Sequence, residues 1–251
     1  MLLDTEAIVL GRRKITESDV SLTLFTRKAG KVHAIANGAR NPRSRLMSSA
    51  HPFVYGEFTL SKGRDTWRLT QAQITDSHYI LREDLDRLAL GSYLLELTET
   101  VTQENQTNNR LFDLLLESLS LIKTLDKGYN SLRAAFELKV FALSGLRPRL
   151  DACVLGDEPY DGRVWRISAP EGGLVCPACA AGLDLPDAEE VFIRLLRFLT
   201  DAPLSMIVNT AVSRALVEKA LWFNRRYMRA HVADRPFKSL SLLKNSGSRG
   251  E

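Results

Sequence analysis

Long uninterrupted runs of apolar residues are missing from this sequence. A membrane-spanning helix needs about 18 to 20 of them, whereas even the leucine-rich stretch 88–97 is broken by Ser92 and Glu96. The first ten residues include Asp4 and Glu6, where a secretory signal would have a basic run followed by an apolar core. We therefore expect a soluble, cytoplasmic protein that does not act at a membrane.

Cysteine is scarce, and the familiar catalytic motifs are missing. Three cysteines are an odd number, and in an intracellular protein they argue against a disulfide framework. The sequence has no Gly-rich phosphate-binding loop with a lysine, no His-Glu-x-x-His and no Gly-x-Ser-x-Gly, and its four histidines are scattered. We therefore predict no catalytic residue and no enzyme activity.

Positive charge is concentrated at the two ends of the chain. Residues 1–75 contain twelve Lys or Arg against six acidic residues, net +6, and residues 225–251 contain seven against two, net +5. The middle, 76–224, contains 15 against 22, net −7, which gives the total of +4. The basic N-terminal segment favours binding to a polyanion.

The first 75 residues alternate short β-type runs with Gly, Asn and Pro. Five strands are predicted, near residues 5–10, 20–26, 31–36, 53–60 and 67–74. Residues 37–45 are too polar for a core and too long for a hairpin turn, and they predict a basic loop with a short helix. Five strands with a helical insert after the third are typical of an OB-fold barrel, which often binds oligonucleotides. An SH3-like barrel would give similar runs.

From about residue 82 the apolar spacing changes from two to about 3.6 residues, which indicates helices. They are predicted near 84–103, 109–124, 131–144, 187–200, with Asp187 as N-cap, and 210–232. Residues 149–186 lose this period and contain all three cysteines. The predicted fold is therefore α+β, with an OB-fold barrel (1–80), a helical domain (81–148 and 187–244), an inserted cysteine loop (149–186) and a flexible tail (245–251).

The cysteine loop contains Cys153 and the pair Cys176-Pro-Ala-Cys179. Two thiolates separated by two residues in a turn reach one tetrahedral zinc ion at about 2.3 Å, and the third cysteine favours a structural zinc over a redox pair or buried thiols. A fourth cysteine would be expected at Gly156. The remaining options for the fourth position are Asp151, Asp157, Asp184 or a water molecule, or a site that has decayed.

Twelve basic side chains of the N-terminal segment are candidates for contacts with phosphate groups. They are Arg12, Arg13, Lys14, Arg27, Lys28, Lys31, Arg40, Arg43, Arg45, Lys62, Arg64 and Arg68. Loops at one rim of a small barrel converge, so residues 12–14, 40–45 and 62–64 are expected to line one groove. DNA contacts are predicted for all of the twelve except Arg27, Lys28 and Arg68. Aromatic residues of the same segment suit the core better than base stacking.

A second basic patch is predicted on the last helix. Trp222, Arg226 and Arg229 are spaced by four and three residues, which brings the two arginines together on one helical face, and Arg225 adjoins them. The patch offers a second contact with nucleic acid. An ordinary solvated helix face would have the same pattern.

Several segments resemble the RecO family of bacterial recombination mediators. The similarity runs over Glu-Ala-Ile-Val-Leu at 6–10, Glu-Ser-Asp at 17–19, Leu-Thr-Leu-Phe-Thr at 22–26, Gly-Lys at 30–31, Ala-Ile-Ala-Asn-Gly-Ala-Arg at 34–40, Ser-Arg-Leu at 44–46 and Leu-Thr-Gln-Ala at 69–72. The order of barrel, helices, cysteine loop and helices fits the family along nearly the whole chain.

This resemblance implies an OB-fold domain, a helical domain, a zinc-finger-like insertion and a non-catalytic role in DNA repair and recombination. It implies binding to single- and double-stranded DNA, annealing of complementary strands and, with the partner RecR, assistance to RecA loading on DNA coated by single-strand-binding protein. A location at the nucleoid follows. The family's metal motif has two Cys-x-x-Cys pairs, and this sequence departs from it at Gly156.

Two other function classes remain open from the sequence. In the first, the helical and cysteine modules dock protein partners and the charge of the barrel is incidental. In the second, the protein is an enzyme that acts on nucleic acid. Salt-dependent DNA binding that is lost with the barrel cations would favour the mediator over the adaptor, and metal-dependent strand cleavage would favour the enzyme.

Overall fold

The computed structural model describes residues 1–63 and 66–240. Its N-terminal part is a closed barrel of five strands, which confirms the five-stranded prediction. The strands are β1 (Leu2–Lys14), β2 (Val20–Thr26), β3 (Gly30–Ala36), β4 (Tyr55–Lys62) and β5 (Trp67–Asp76). Each overlaps its predicted run, and β2 has the predicted bounds.

The strands follow one another round the barrel in the order β1-β2-β3-β5-β4. The long strand β1 closes the barrel because its first half pairs with β4 and its second half with β2, with a shift of register between Val9 and Gly11. The β3–β5 pair is parallel and consists only of Ala34 with Trp67 and Ile35 with Arg68, whereas the other pairs are antiparallel. The beginning of β3 therefore has no neighbouring barrel strand on one side.

Alternate residues of the strands fill the barrel. In β2, Val20, Leu22 and Leu24 are buried in one apolar cluster with residues from the other four strands. The intervening residues Ser21 and Thr23 point outward, because successive side chains of a strand face opposite sides of the sheet. The alternation that predicted the strand thus also determines which residues reach the outer surface.

The loop between β3 and β4 does not contain the predicted short helix. Residues 37–52 form a succession of turns, in which the N–H of Asn41 donates to the carbonyl of Gly38 at 2.9 Å and that of Ser44 to Asn41 at 2.9 Å. Proline at position 42 and the Asn and Ser residues around it favour such local turns over a continuous helix.

Two helices follow the barrel. After a 3₁₀ turn at Tyr79–Arg82 come α1 (Leu85–Val101) and α2 (Asn109–Thr124), the latter with the predicted bounds. The side chains of Asp84 and Asn108 cap them by accepting hydrogen bonds from backbone N–H groups of the first turn.

The segment between α1 and α2 lies along the unpaired edge of β3. Glu104 forms a parallel bridge with Lys31, and the N–H of Asn105 donates to the carbonyl of Lys31 at 3.1 Å. Gly30 has a φ of +64°, and a Cβ at this position would lie 2.0 Å from the carbonyl oxygen of Gln106. Only glycine permits this close approach.

The C-terminal part is mainly helical and includes a small sheet. Its elements are α3 (Tyr129–Leu143), β6 (Trp165–Ser168), β7 (Gly173–Val175), β8 (Asp187–Ala188), α4 (Glu190–Asp201), α5 (Leu204–Asn209) and α6 (Arg214–His231). The sequence did not predict the small sheet or α5. None of the described helices combines the length and apolar composition that a membrane span requires.

Asp187 is not the N-cap of α4, contrary to the prediction. It lies in β8, its carboxylate forms an ion pair with Arg166 of β6, and Glu189 occupies the N-cap position. The carboxylate is therefore used to join two strands of the small sheet rather than to cap the helix.

Packing divides the chain into two units. Among the described residues, the first consists of those in 1–125 together with 237–240, and the second of 126–236. The predicted boundaries near residues 80, 148 and 186 follow changes of secondary-structure type rather than packing, and they stay predictions. The predicted tail, 245–251, and the last residues of the predicted helical domain lie outside the described residues.

Candidate nucleic-acid interface and cysteine cluster

Directly paired residues of neighbouring strands point to the same side of a sheet. On the outside of the barrel, Arg13 pairs with Ser21, Ser21 with Ile35, and Ile35 with Arg68. We name these four residues the outer row. Both arginines are exposed, and the two residues between them are half-buried. The backbone positions of the two arginines are about three strand spacings apart, roughly 14 Å along the sheet, and the shorter side chains of Ser21 and Ile35 lie between them.

The outer row has little acidic charge of its own. Neither Arg13 nor Arg68 forms an ion pair with any residue in the described ranges. A cation that is not ion-paired attracts a phosphate group more strongly than one whose charge a carboxylate offsets.

The rest of the same outer surface is covered by α1 and α2. Ile8 pairs with Phe25 and Phe25 with Lys31, and the ring of Phe25 lies 5.5 Å from that of Phe112 in α2. The ammonium group of Lys31 donates to the carbonyl of Glu99 in α1 at 2.8 Å. Lys31 was predicted to contact DNA, and its cation is engaged within the first unit.

Arg27 is also engaged by neighbouring groups. It forms ion pairs with Glu6 and, at 2.8 Å, with Asp113 of α2, and it lies 4.3 Å from the ring centre of Phe112. Burial opposes its charge, but the two carboxylates outweigh burial and raise the pKa of Arg27. A hydrogen bond from Tyr55 is the main reason that the pKa of Glu6 is lowered.

Arg12 and Lys14 lie beside Arg13 at the end of β1. The guanidinium group of Arg12 is 3.3 Å from the ring of His51, whose pKa is lowered by burial and by the positive charges of Arg12 and Arg82. Lys14 forms an exposed ion pair with Glu17. The predicted cluster at residues 12–14 is therefore partly paired.

The β1–β2 turn and the β3–β4 loop are joined to each other. The N–H of Gly38 donates to the carboxylate of Asp19 at 2.7 Å, and this bond is the main reason that the pKa of Asp19 is lowered. The Arg40 guanidinium donates to the carbonyls of Thr16 and Glu17 at 3.2 and 3.0 Å.

Two further loop arginines are exposed beside this junction. They are Arg43 and Arg45. Because the β1–β2 turn is bonded to the β3–β4 loop, the cations of these two predicted groups lie at one rim of the barrel.

The β4–β5 hairpin contributes Lys62, which is exposed and lies 5.6 Å from the ring centre of Trp67. Lys62 pairs with Trp67 and Trp67 with Ala34, one residue from the outer row. Arg64 was also predicted to contact DNA, and it lies outside the described residues.

The predicted patch on α6 is an exposed stripe of the second unit. Trp222, Arg225, Arg226 and Arg229 share one face, spaced by three and four residues, and the three arginines are exposed. The Arg226 guanidinium lies 4.0 Å from the ring centre of Trp222. The aromatic and basic groups of this patch thus lie together.

Two turns of the second unit have the same backbone closure. The carbonyl of Cys153 accepts from the N–H of Asp157 at 3.1 Å, and that of Cys176 accepts from the N–H of Ala180 at 2.9 Å. Each turn therefore begins with a cysteine and closes four residues later. Gly156 in the first turn occupies the position that Cys179 occupies in the second.

The three cysteines meet, as predicted. Their sulphur atoms all lie within 4.8 Å of one another, a spacing that suits one metal ion. Burial raises the pKa of the Cys153 thiol, but backbone N–H groups, first that of Cys176, outweigh burial and lower the pKa to about 7. A hydrogen bond with Cys176, followed by burial, raises the pKa of Cys179 to about 11.

The acidic residues suggested as a fourth ligand do not join this group. Among the described residues, the cluster contains the three cysteines and no carboxylate. Asp157 instead forms an ion pair with Arg149, and its side chain is 82% exposed. Asp151 and Asp184 are exposed outside the cluster.

The predicted DNA contacts left out Arg68, which the structure brings into the outer row. Its position in β5, one residue after the half-buried Trp67, was a signal that it faces outward. The pairing of β5 with β3 had no local signal in the sequence, because it joins residues more than thirty positions apart.

Comparisons with known proteins cover nearly all of this chain. Residues 1–78 match the family model for the N-terminal part of recombination protein O, and residues 82–241 match the model for its C-terminal part. The chain is 39% identical to a DNA repair protein RecO of Alkaliphilus metalliredigens over 97% of this chain and 99% of that protein. It is 34% identical to one of Pelotomaculum thermopropionicum, over 98% and 95%. The chain belongs to the RecO family of DNA repair proteins.

Proposed function

We propose that this protein is a recombination mediator that binds DNA through the outer row and the adjoining loop cations. The observation that carries the proposal is the outer row itself, in which Arg13 and Arg68 flank Ser21 and Ile35 on the open part of the β2–β3 surface. The two exposed guanidinium groups would contact the phosphate backbone, and the half-buried residues between them would face the bases.

The barrel has the features of an OB-fold, to which we assign it. An OB-fold is a five-stranded barrel that binds oligonucleotides on the face of strands 2 and 3 and through the loops between strands 1 and 2 and strands 4 and 5. Here the outer row crosses β2 and β3, Arg13 leads into the β1–β2 turn, and Lys62 lies in the β4–β5 hairpin. The basic groups lie where this fold would use them.

Binding of this kind promotes annealing without catalytic chemistry. A strand whose phosphates are neutralised repels its complement less, and a second basic surface on the same protein raises the local concentration of that complement. The α6 patch, Arg225, Arg226 and Arg229, would serve as the weaker second surface. No nucleophile or general base takes part, and single- and double-stranded DNA would both bind.

The family suggests the protein partners. We propose that the chain acts at the nucleoid with RecR to assist RecA loading on DNA coated by single-strand-binding protein. The outer row would hold the DNA strand near the place where RecA is loaded. Because this hold is weak and salt-sensitive, the strand can then be passed on.

A comparison of two variants tests the DNA-binding proposal. Binding of a labelled single-stranded oligonucleotide is measured across a salt series for the natural protein, for R13A/R68A and for K28A/R110A, a control that removes two exposed cations elsewhere in the first unit. We expect the log–log salt slope to fall by about 1.4 in R13A/R68A, about 0.7 per phosphate contact, and to stay unchanged in the control. The loop variant R40A/R43A/R45A is expected to flatten the slope as well.

Two results would contradict the proposal. If the natural protein shows no salt-sensitive binding, the barrel does not bind DNA, and an adaptor that docks protein partners becomes the better account. If both double variants lose the same affinity, the outer row has no special role, and only general charge attracts DNA.

The cysteine cluster would have a structural role. Cys153, Cys176 and Cys179 would hold one zinc ion, because three sulphur atoms within 4.8 Å of one another fit its preference for thiolates. When bound, the ion supplies a link between the two turns. The backbone N–H groups that lower the pKa of Cys153 stabilise the thiolate form that zinc requires.

A further inference from the structure

The fourth corner of the cysteine cluster lies at Gly156. A Cβ built on Gly156 would be 2.9 Å from the sulphur of Cys179 and 4.0 Å from that of Cys153. The matching closures of the two cysteine turns give Gly156 the same position in its turn that Cys179 has in the other. A side chain at position 156 would therefore enter the cluster, and glycine leaves that space without one.

The gap at Gly156 faces solvent. Residues 155–159 are exposed, and the side chain of Cys179 is partly exposed, whereas Cys153 and Cys176 are buried. No carboxylate from the described residues joins the three sulphur atoms. The chain would thus enclose a metal on the side of Cys153 and Cys176 and leave it open on the side of Gly156.

We infer that this chain holds its zinc ion with three thiolates and one exchangeable ligand, a water molecule at the Gly156 corner that a small thiol replaces. The inference rests on the zinc binding proposed above. Most structural zinc sites have four protein ligands, whereas a zinc ion with three protein ligands takes water or another small ligand in its fourth position. The local geometry therefore leaves the proposed structural zinc ion with one coordination position that is accessible from solvent.

A cysteine at position 156 is compatible with the fold. Gly156 does not have the positive φ that excludes other residues, and its only contact shorter than 3 Å would be with the outer end of the Cys179 side chain. That sulphur atom ends a flexible side chain of a partly exposed residue, so it can shift slightly and stay in the cluster. Gly156→Cys is therefore expected to supply a fourth thiolate, whereas Gly156→Ser adds a similar side chain that zinc binds poorly.

Cobalt substitution tests the inference, because Co²⁺ takes the place of zinc and reports on its ligands through its absorption. Zinc content is measured first in the natural protein, G156C and G156S, and each is then loaded with Co²⁺ in the full chain. We expect the thiolate-to-cobalt absorption per bound ion to be about a third stronger in G156C, which has four thiolates instead of three. Adding a small thiol should move the spectra of the natural protein and G156S toward that of G156C, whose own spectrum stays unchanged.

The outcomes separate the inference from the proposal beneath it. If the natural protein binds one ion but its spectrum does not respond to thiol, its fourth position is filled by a protein group and the inference is wrong. If the natural protein binds neither zinc nor cobalt, the proposed zinc binding itself is wrong. The thiol titration of the natural protein decides the question even if G156C does not fold.

Discussion

The outer surface of strands β2 and β3 has two halves that differ in what covers them. In the covered half, Phe25 lies beneath α2 and Lys31 donates to a carbonyl of α1. In the open half, Ser21 and Ile35 lie between Arg13 and Arg68, which have no acidic partner in the described ranges. One pair of strands thus serves as a packing surface at one end and as a candidate binding surface at the other.

The difference shows that a basic residue on a strand does not by itself indicate a binding site. Arg27 and Lys31 have the same charge as Arg13 and Arg68, but groups of α1 and α2 engage them, namely Asp113 and the Glu99 carbonyl. Glu99 follows Lys31 by 68 residues, and Asp113 follows Arg27 by 86. Only the tertiary structure separates cations that hold the fold together from cations that remain free for a ligand.

The largest expected effect is on stability, in the covered half. Phe25→Ala removes a fully buried ring beneath α2 and should lower the free energy of unfolding by about 3–5 kcal/mol. The matched change in the open half, Ile35→Ala, should cost about 1 kcal/mol because that side chain is half-buried. Urea denaturation of the two variants measures both. Equal losses would mean that the two halves do not differ in packing.

A smaller stability effect is expected at Arg27. Arg27→Met keeps the stem over Phe112 but removes the ion pairs with Glu6 and Asp113, and it should cost about 1 kcal/mol after allowance for solvent screening. The DNA affinity should change no more than in Lys28→Met, an exposed control of equal charge. A DNA-binding loss larger than that of the control would assign Arg27 to the binding surface instead.

The stability of the protein should depend on pH through His78, which lies between the barrel and the covering helices. His78 is buried, and burial lowers its pKa below 6.5 although Asp76 opposes this. Because the unfolded chain then takes up the proton more readily, stability is present above about pH 6.5 and falls as the pH decreases, by at most about 1.4 kcal/mol per unit.

The variant His78→Asn should remove that contribution. Asparagine tolerates the φ of +44° at this position and retains a donor for the carbonyl of Phe53, which the His78 ring contacts at 2.9 Å. Urea midpoints between pH 8 and pH 5 give the comparison. A natural protein and a variant with the same pH dependence would show that other groups, such as His51, account for it.

The smallest expected effect is on DNA binding, and it distinguishes Arg68 in the open half from Lys31 in the covered half. Arg68→Met should reduce the salt slope for single-stranded DNA by about 0.7 and the affinity by a few-fold. Lys31→Met should leave both nearly unchanged, since its ammonium group is engaged with Glu99. Fluorescence anisotropy at several salt concentrations measures this difference. The reverse result would place the binding surface on the covered half.

Local signals predicted most of the secondary structure. Alternation in Val20, Leu22 and Leu24 predicted β2, because a barrel strand buries every second side chain. The meeting of the cysteines was also predictable, since thiolates at that spacing suit one ion. The same local reasoning was wrong for the helix at 37–45 and for Asp187, where turn-forming residues and an ion pair with Arg166 have the stronger effect.

Long-range pairing limited what could be predicted of the site. The outer row depends on the contact of Ile35 with Arg68, and no periodicity in either strand encodes that partner. The hydrogen bond from Lys31 to the Glu99 carbonyl of α1 is likewise a long-range contact that no local pattern encodes. The sequence therefore predicted a barrel rich in basic residues. It assigned DNA contacts to individual cations without distinguishing which of them other groups of the fold engage.

The segment that follows α1 has a consequence for how this protein behaves at high concentration. A strand with one unpaired side is a template on which another chain can add a strand, and such additions lead to aggregates. The bridge between Glu104 and Lys31, together with the N–H of Asn105, occupies those backbone groups at the start of β3. The glycine at position 30 is what allows the segment to come so close, so one residue without a side chain helps to keep neighbouring copies apart.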